Sequence, residues 1–309
     1  MFVVIGEALV DLVGQRGSRM LVAHPGGSPA NVALGLGRLG NPVTLMTHLG
    51  RDAFGEMIST HLQASGVRVA GADAESKTSL AVATLAAGIA TYDFRIEWDI
   101  GNLDPLPVET RCLHTGSLAT VLEPGRTDVQ NLLEHEHQRG RVTISYDPNV
   151  RPALLGTPED ARPGIDHLVS LSDVVKVSDE DLAWLYPDRD DEDVARDWLG
   201  RGPALVVVTR GGEGVFAVTA DLELDRPATP IDLVDTVGAG DSFTAGLLDG
   251  LGRADLIGGA RRDALAAIDE SSLISVLDEA SLIASITCSR PGADPPTWAE
   301  VEAARAGRP

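Results

Sequence analysis

The stretch Asp235-Thr236-Val237-Gly238-Ala239-Gly240-Asp241-Ser242-Phe243 has the residue types and spacing for chemistry. A β-type run, Ile231 to Val234, precedes it, and an Ala- and Leu-rich helical pattern starts at Phe243. The segment reads as a strand, a tight turn and a helix N-terminus. Backbone N–H groups at such an end lack intrahelical partners and carry the positive pole of the helix dipole. Gly238 and Gly240 have no Cβ, so an anion can come close to the backbone. Asp241 then sets a carboxylate beside that hole. An anion cradle next to a base suits transfer of a phosphoryl group to a hydroxyl. So close to a helix N-terminus the Asp241 carboxylate should be a weak base, which a late proton transfer tolerates. A plain turn with Asp241 as N-cap also accounts for the tetrapeptide taken alone. No Gly-Lys-Ser/Thr follows, which argues against a P-loop ATPase. Gly-x-Gly-x-x-Gly fails at Ser242 and Phe243, which argues against a nicotinamide enzyme.

Other candidates fall at element ends. Gly26-Gly27-Ser28-Pro29-Ala30-Asn31 is a second glycine pair opening a helix, with Ser28 as cap, Pro29 at the first position and Gly40 as stop. Asn31 offers donors and an acceptor, suited to a polyol. A capped helix start explains the segment equally well. Asp11 lies at the end of the β run Phe2–Leu12, and open α/β sheets bind ligands beyond the carboxyl ends of their strands. Asp147-Pro148-Asn149-Val150-Arg151 follows the expected strand Val142–Tyr146. Arg151 there can fork onto a sugar hydroxyl or a phosphate, or simply pair with Asp147 in a surface turn. In Lys176-Val177-Ser178-Asp179-Glu180-Asp181, Ser178 can cap a helix with Asp181 as a shortened capping-box partner. The same carboxylates could stand near a hydrated Mg²⁺. Thr209-Arg210-Gly211-Gly212-Glu213-Gly214 is either a hairpin turn into Val215–Thr219 or a glycine platform under a nucleotide.

The elements that must position these residues alternate. Strands are expected at Phe2–Leu12, Val43–Leu49, Cys112–Leu118, Val142–Tyr146, Val174–Val177 and Ala204–Thr209. Helices are expected from Ser28 to Gly40 and at Asp52–Ser65, Pro124–Arg139, Pro158–Ser170, Asp179–Tyr186, Glu192–Gly202, Phe243–Leu251 and Ser272–Ile286. That alternation predicts a parallel α/β sheet. Residues 12–24 and 78–100 break it and read as β ribbons, the second turning at Ala87-Gly88. Together they would make a small lid that excludes water. Gly252–Glu270 has poor periodicity and takes no assignment.

The chain has 309 residues, 43% of them hydrophobic, enough for a large core in one domain over 1–309. Its net charge is −21, and Lys77 and Lys176 are its only lysines. Nucleic acid is therefore not an expected partner, because phosphate backbones need a basic footprint. Cys112 and Cys288 show no metal spacing and are expected to be buried thiols in a reducing cytosol. No signal peptide and no continuous apolar run of about 18 residues appears, so no membrane span is expected.

Together these motifs resemble the phosphofructokinase-B (ribokinase-like) family of carbohydrate kinases, from Gly6 to about Pro296. Gly26 through Gly40 looks like its N-terminal signature, and Asp235 through Gly246 matches its C-terminal one. Asp147–Leu155, Val174–Tyr186 and Cys288-Ser289-Arg290-Pro291-Gly292-Ala293 look most like bacterial fructokinases. The resemblance implies a three-layer α/β/α sandwich with a mainly parallel, nine-stranded sheet and a β lid. It implies ATP-dependent phosphorylation of a sugar, D-fructose to fructose 6-phosphate, in the cytoplasm. Asp241 would be the base, with Gly238, Ala239 and Gly240 holding the γ-phosphoryl charge. Asp11, Gly26, Gly27, Asn31 and Arg151 would bind the sugar, and Ser178, Thr209, Gly211 and Gly214 the nucleotide. Asp181 would hold Mg²⁺ through water, and Asp235 with the Val237 carbonyl would belong to a potassium loop. The family's Asn-x-x-Glu is Ser178-x-x-Asp181 here, one methylene short at the carboxylate. A homodimer through the lid is implied as well. Ribose, a nucleoside or a 2-keto-3-deoxy sugar acid would be alternative acceptors. A non-catalytic sugar-binding regulator on the same fold is the alternative outside catalysis.

Overall fold

The computed structural model describes residues 1–73, 76–86, 89–101, 103 and 105–306. Its strands, in chain order, are Phe2–Ile5 (β1), Leu9–Gln15 (β2), Val22–Gly26 (β3), Val43–Gly50 (β4), Val67–Asp73 (β5), Ser79–Ala86 (β6), Ile89–Arg95 (β7), Cys112–Gly116 (β8), Thr143–Asp147 (β9), Val174–Ser178 (β10), Leu205–Thr209 (β11), Val215–Val218 (β12) and Glu223–Arg226 (β13). The α-helices are Ser28–Arg38 (α1), Ala53–Gln63 (α2), Gly125–Arg139 (α3), Pro152–Leu155 (α4), Pro158–Leu171 (α5), Asp179–Leu185 (α6), Asp191–Leu199 (α7), Ala239–Arg253 (α8), Arg262–Ala266 (α9), Glu270–Cys288 (α10) and Trp298–Ala306 (α11).

Among the described residues, nine strands form one sheet in the order β13-β12-β11-β10-β9-β8-β1-β4-β5, with only β12 running against the others. Its inner strands β1, β8 and β9 are buried at every position because both faces are covered, although only β1 is wholly apolar. Phe2 and Val4 point to one side, into a core with Leu34 of α1, Leu247 of α8 and Leu277 of α10. Val3 and Ile5 point to the other, with Leu133 of α3, Ile165 of α5 and Trp198 of α7. Three layers, helix–sheet–helix, follow from that alternation. β3-β2-β6-β7 form a separate four-stranded sheet.

Several expectations are corrected. The first β run is two strands: β1 lies in the large sheet, and after Gly6-Glu7-Ala8 the chain enters the small one as β2. The small sheet is wider than 12–24 and 78–100 suggested, because it includes Leu9 and ends on the first glycine of the Gly26-Gly27 pair. The Ala87-Gly88 turn lies outside the described residues. Ile231–Val234 is not a strand, since the N–H groups of Val234 and Asp235 bond the Cys288 carbonyl. Helix α8 starts at Ala239, a turn before the apolar pattern at Phe243. β5 and the charged edge strand β13 were not anticipated. The end of the Cys112–Leu118 run is a 3₁₀ turn, Ser117–Thr120. Cys112 is buried but Cys288 only half-buried. Helix α10 is long and apolar enough to cross a membrane by length and composition, yet Leu273, Leu277 and Ala280 pack it into the core. The unassigned stretch contains α9 and is tied down by Arg262 on Asp173.

Candidate active site

Asp241 lies in the first turn of α8, where Gly238 is the N-cap with φ 75°. Its side chain does not cap its own helix. Ser28 Oγ donates to Asp241 Oδ1 at 2.6 Å, and Asn31 Nδ2 donates to Oδ2 at 2.8 Å. The two glycine-led helix starts, α1 and α8, thus face each other across one carboxylate. Ser28 was expected to cap α1, but Gly27 holds that position and Ser28 serves Asp241 instead. Asp241 is enclosed by protein yet keeps partial solvent contact. Burial raises its pKa, against the pull of Ser28 and Asn31; Asp147 adds to the rise and Lys176 opposes it. The expectation of a weak base is therefore reversed: loss of solvent outweighs the bonds at the helix mouth.

The Gly26-Gly27 pair has close-approach reasons. Gly27 has φ 103°, and a Cβ there would fall 2.5 Å from the Glu7 carbonyl oxygen. A Cβ on Gly26 would fall 2.2 Å from Asp11 Oδ2. Asp11 does not end a strand of the large sheet. It sits within β2, opposite His24, with its carboxylate against Gly26. Burial raises the Asp11 pKa, against the charges of His24 and Arg151. Arg151 N-caps α4, bonds the Val150 carbonyl, and its charge reaches Glu7, Asp11 and Asp181.

The strand ends order the rest. Asp147, Ser178 and Thr209 close β9, β10 and β11, which are neighbours in the sheet. Ser178 and Thr209 are register partners, and Thr209 Oγ1 donates to the Val177 carbonyl at 3.4 Å. Gly211 and Gly214 lie in the β11–β12 hairpin turn, where a Cβ on Gly214 would fall 2.0 Å from the Arg226 carbonyl oxygen. Ser178 accepts from the Asp181 N–H at 3.0 Å, so Ser178 caps α6 as expected, but the Asp181 carboxylate turns to another loop rather than back to the cap. Asp181 Oδ1 accepts from the Val150 N–H, and burial, with Asp147 next, raises its pKa. Asp235 joins two loops, accepting from the N–H groups of Val237 and Gly292. Among the described residues no cluster of three His, Cys, Asp or Glu side chains is arranged for a metal ion.

Two buried groups escaped the sequence reading. Lys176 Nζ donates to Asp147 Oδ2 at 2.9 Å, with side-chain exposures of 6% and 2%. Glu7 Oε2 accepts from the Ala119 N–H at 3.1 Å, next to Ser117 at φ 54°. The available signal was a charge embedded in an apolar strand, Val174-Val175-Lys176-Val177, and a Glu directly after β1.

Residues 1–300 match the profile of the pfkB family carbohydrate kinases. The chain belongs to that family and is a carbohydrate kinase. It is 34% identical over 283 residues to a fructokinase of Rhizobium leguminosarum bv. trifolii, covering 88% of this chain and 85% of that one. It is 36% identical over 258 residues to a fructokinase of Klebsiella pneumoniae, covering 80% and 83%. The crystal structure of the Xylella fastidiosa fructokinase with bound ATP superposes with a TM-score of 0.85 at 26% identity, covering 98% and 97%. The Vibrio cholerae fructokinase double mutant with fructose, ADP and potassium ion gives 0.81 at 25% identity, covering 98% and 97%.

Proposed function

We propose that this kinase transfers the γ-phosphoryl group of ATP to D-fructose, giving fructose 6-phosphate, with Asp241 as general base. The observation that carries the mechanism is the Asp241 carboxylate, held by Ser28 and Asn31 next to the amides of residues 238–240. The fructokinase relatives support the acceptor, and the ATP-bound neighbour supports the donor. Asp11, Gly26, Gly27, Asn31 and Arg151 orient the sugar at the edge of the small sheet. Ser178, Thr209, Gly211 and Gly214 line the nucleotide on the β10–β11 side. The phosphoryl group then passes over the mouth of α8, between the two. Mg²⁺ accompanying ATP offsets phosphate charge; Asp181, with one oxygen already bonded, fits a hold through water. The Asp235–Val237 loop is the proposed potassium site.

Asp241 takes the hydroxyl proton as the new O–P bond forms. The amides of Gly238, Ala239 and Gly240 stabilise charge on the migrating group, and positioning supplies much of the rate. The chain works as one kinase domain in the cytoplasm, with the small sheet as lid and as homodimer contact. Asp241→Asn, which keeps the shape and one of the two acceptor oxygens while the other becomes an N–H donor that the Ser28 hydroxyl can accept, should lower kcat by roughly 10²–10⁴-fold with little change in sugar affinity. Calorimetric sugar binding and ADP release over a panel of fructose, ribose, nucleosides and 2-keto-3-deoxy sugar acids read both parts. Retained turnover in the Asn variant sinks the base assignment. Faster turnover of a nucleoside than of fructose sinks the acceptor.

A further inference from the structure

We propose that Lys176, pinned by Asp147 behind the first turn of α8, is a positioning residue whose ammonium governs how readily Asp241 takes the acceptor's proton. The inference rests on the role of Asp241 proposed above. Lys176 is one of two lysines in the chain, and it is sealed inside the sheet. Its ammonium lies directly under the helix mouth: a Cβ on Gly240 would fall 3.0 Å from Nζ. Asp147 Oδ2 holds that ammonium and lies 3.4 Å from Thr244 Oγ1, whose proton goes to the Gly240 carbonyl at 3.0 Å. Asp147 Oδ1 accepts from the Asn149 N–H. The pair is thus braced against α8, the helix that carries Asp241.

A buried ion pair gives little net stability over an apolar pair of similar volume. An all-apolar β10 would serve the sheet as well, so the charge itself is what this position supplies. The groups around Asp241 can be named by element. Helix α1 contributes the neutral Ser28 and Asn31, β9 contributes Asp147, and β10 contributes Lys176. Asp181 of α6 adds a carboxylate whose field falls on Lys176. Asp11 with His24 on the small sheet, Glu7 after β1 and Arg151 before α4 stand further round, linked through the charge of Arg151. Lysine and aspartate cancel at long range, but they act on Asp241 with opposite signs. Removing one leaves the other uncompensated in a medium of low dielectric.

The test is the acid limb of kcat/KM against pH, at saturating Mg·ATP, for Lys176→Met, Asp147→Asn and the double variant. Lys176→Met leaves an unpaired Asp147 and should move the limb to higher pH, on the order of one pH unit. Asp147→Asn should move it the opposite way, and the double variant, which buries no lone charge, should return it close to the wild-type position. A residue that only holds the sheet together would lower melting temperature and kcat in all three with the limb in place. That result, or displacement of both single variants in the same direction, overturns the proposal. The profile is read with whichever acceptor the panel shows to be turned over, so a wrong sugar does not disturb it. A wild-type chain that phosphorylates no acceptor sinks the functional reading and this inference with it. Normal turnover with unmoved limbs sinks this inference alone.

Discussion

Glu7 carries the clearest dependence on pH in the molecule. Burial raises its pKa to about 7, outweighing the bonds from Ser117 and Ala119 and the charge of Arg151. In a solvated chain a glutamate titrates near 4.5. Between those values the folded protein keeps a proton that the unfolded chain has lost. The native state binds more protons, so stability falls as pH rises through that window and levels off above it. The size is on the order of 3 kcal/mol. Glu7→Gln has no proton to lose and can still accept from the Ala119 N–H. Measured by urea unfolding, its stability relative to wild type should improve by that order between about pH 5 and about pH 8. A constant difference across that range would show that Glu7 ionises freely. At this scale the sequence made Asp241 and Asn31 legible, because a glycine-flanked carboxylate and a helix-start amide stand out by type and spacing. Ser28 was legible as a residue but not as a partner, since the bond to Asp241 spans 213 positions. Lys176 looked like an ordinary strand residue because nothing local marks the carboxylate it meets.

The helices and most strands were readable from their apolar period, as α3, α5, β9 and β11 show. The failures have local causes. Apolar residues flank Gly6-Glu7 closely on both sides, Phe2–Ile5 before and Ala8–Val10 after, so the step between two sheets reads as a short interruption of one strand. Ile231–Val234 has β-type residues but no strand beside it to pair with; the Cys288 carbonyl takes its N–H groups. β13, Glu-Leu-Asp-Arg, carries the charges that suit an exposed edge, which disguises it as a loop. Gly246 makes an element-scale prediction. It sits where α8 crosses α10, and a Cβ there would come within 2.9 Å of Ala280 Cα and Ile283 Cδ1. Gly246→Val should lower stability by roughly 2–3 kcal/mol, because overpacking displaces one helix from the other. Unfolding by urea measures it, and an unchanged midpoint would mean that the crossing is loose.

At the scale of the whole molecule, the small sheet presents an unusual edge. β3 is one of its two edge strands, and Val22 at its start is 59% exposed, with Met20 and Leu21 just before it 79% and 48% exposed. Exposed apolar side chains beside a sheet edge favour association with another chain, which is the physical support for the proposed homodimer through the lid. Met20→Glu combined with Val22→Glu places like charges on that edge in both copies. Sedimentation velocity should then show a dimer for wild type and a monomer for the variant; a monomeric wild type at micromolar concentration retires the dimer. The cations that matter for the proposed chemistry are local ones such as Arg151 and Lys176.

Asp11 on the small sheet and Asp241 on α8, packed against the large one, are carried by different layers, which has a mechanical consequence. One wall of the proposed sugar site is fastened to the thin four-stranded layer, the other to the thick nine-stranded slab, and Gly27 is the joint where α1 leaves the thin layer. A tilt of the thin layer changes the gap between the two carboxylates while Asp241, Asn31 and Ser28 stay registered. In the proposed mechanism the grip on the acceptor would then loosen without disturbing the Asp241–Ser28–Asn31 geometry, and product would leave past an unchanged α8 mouth.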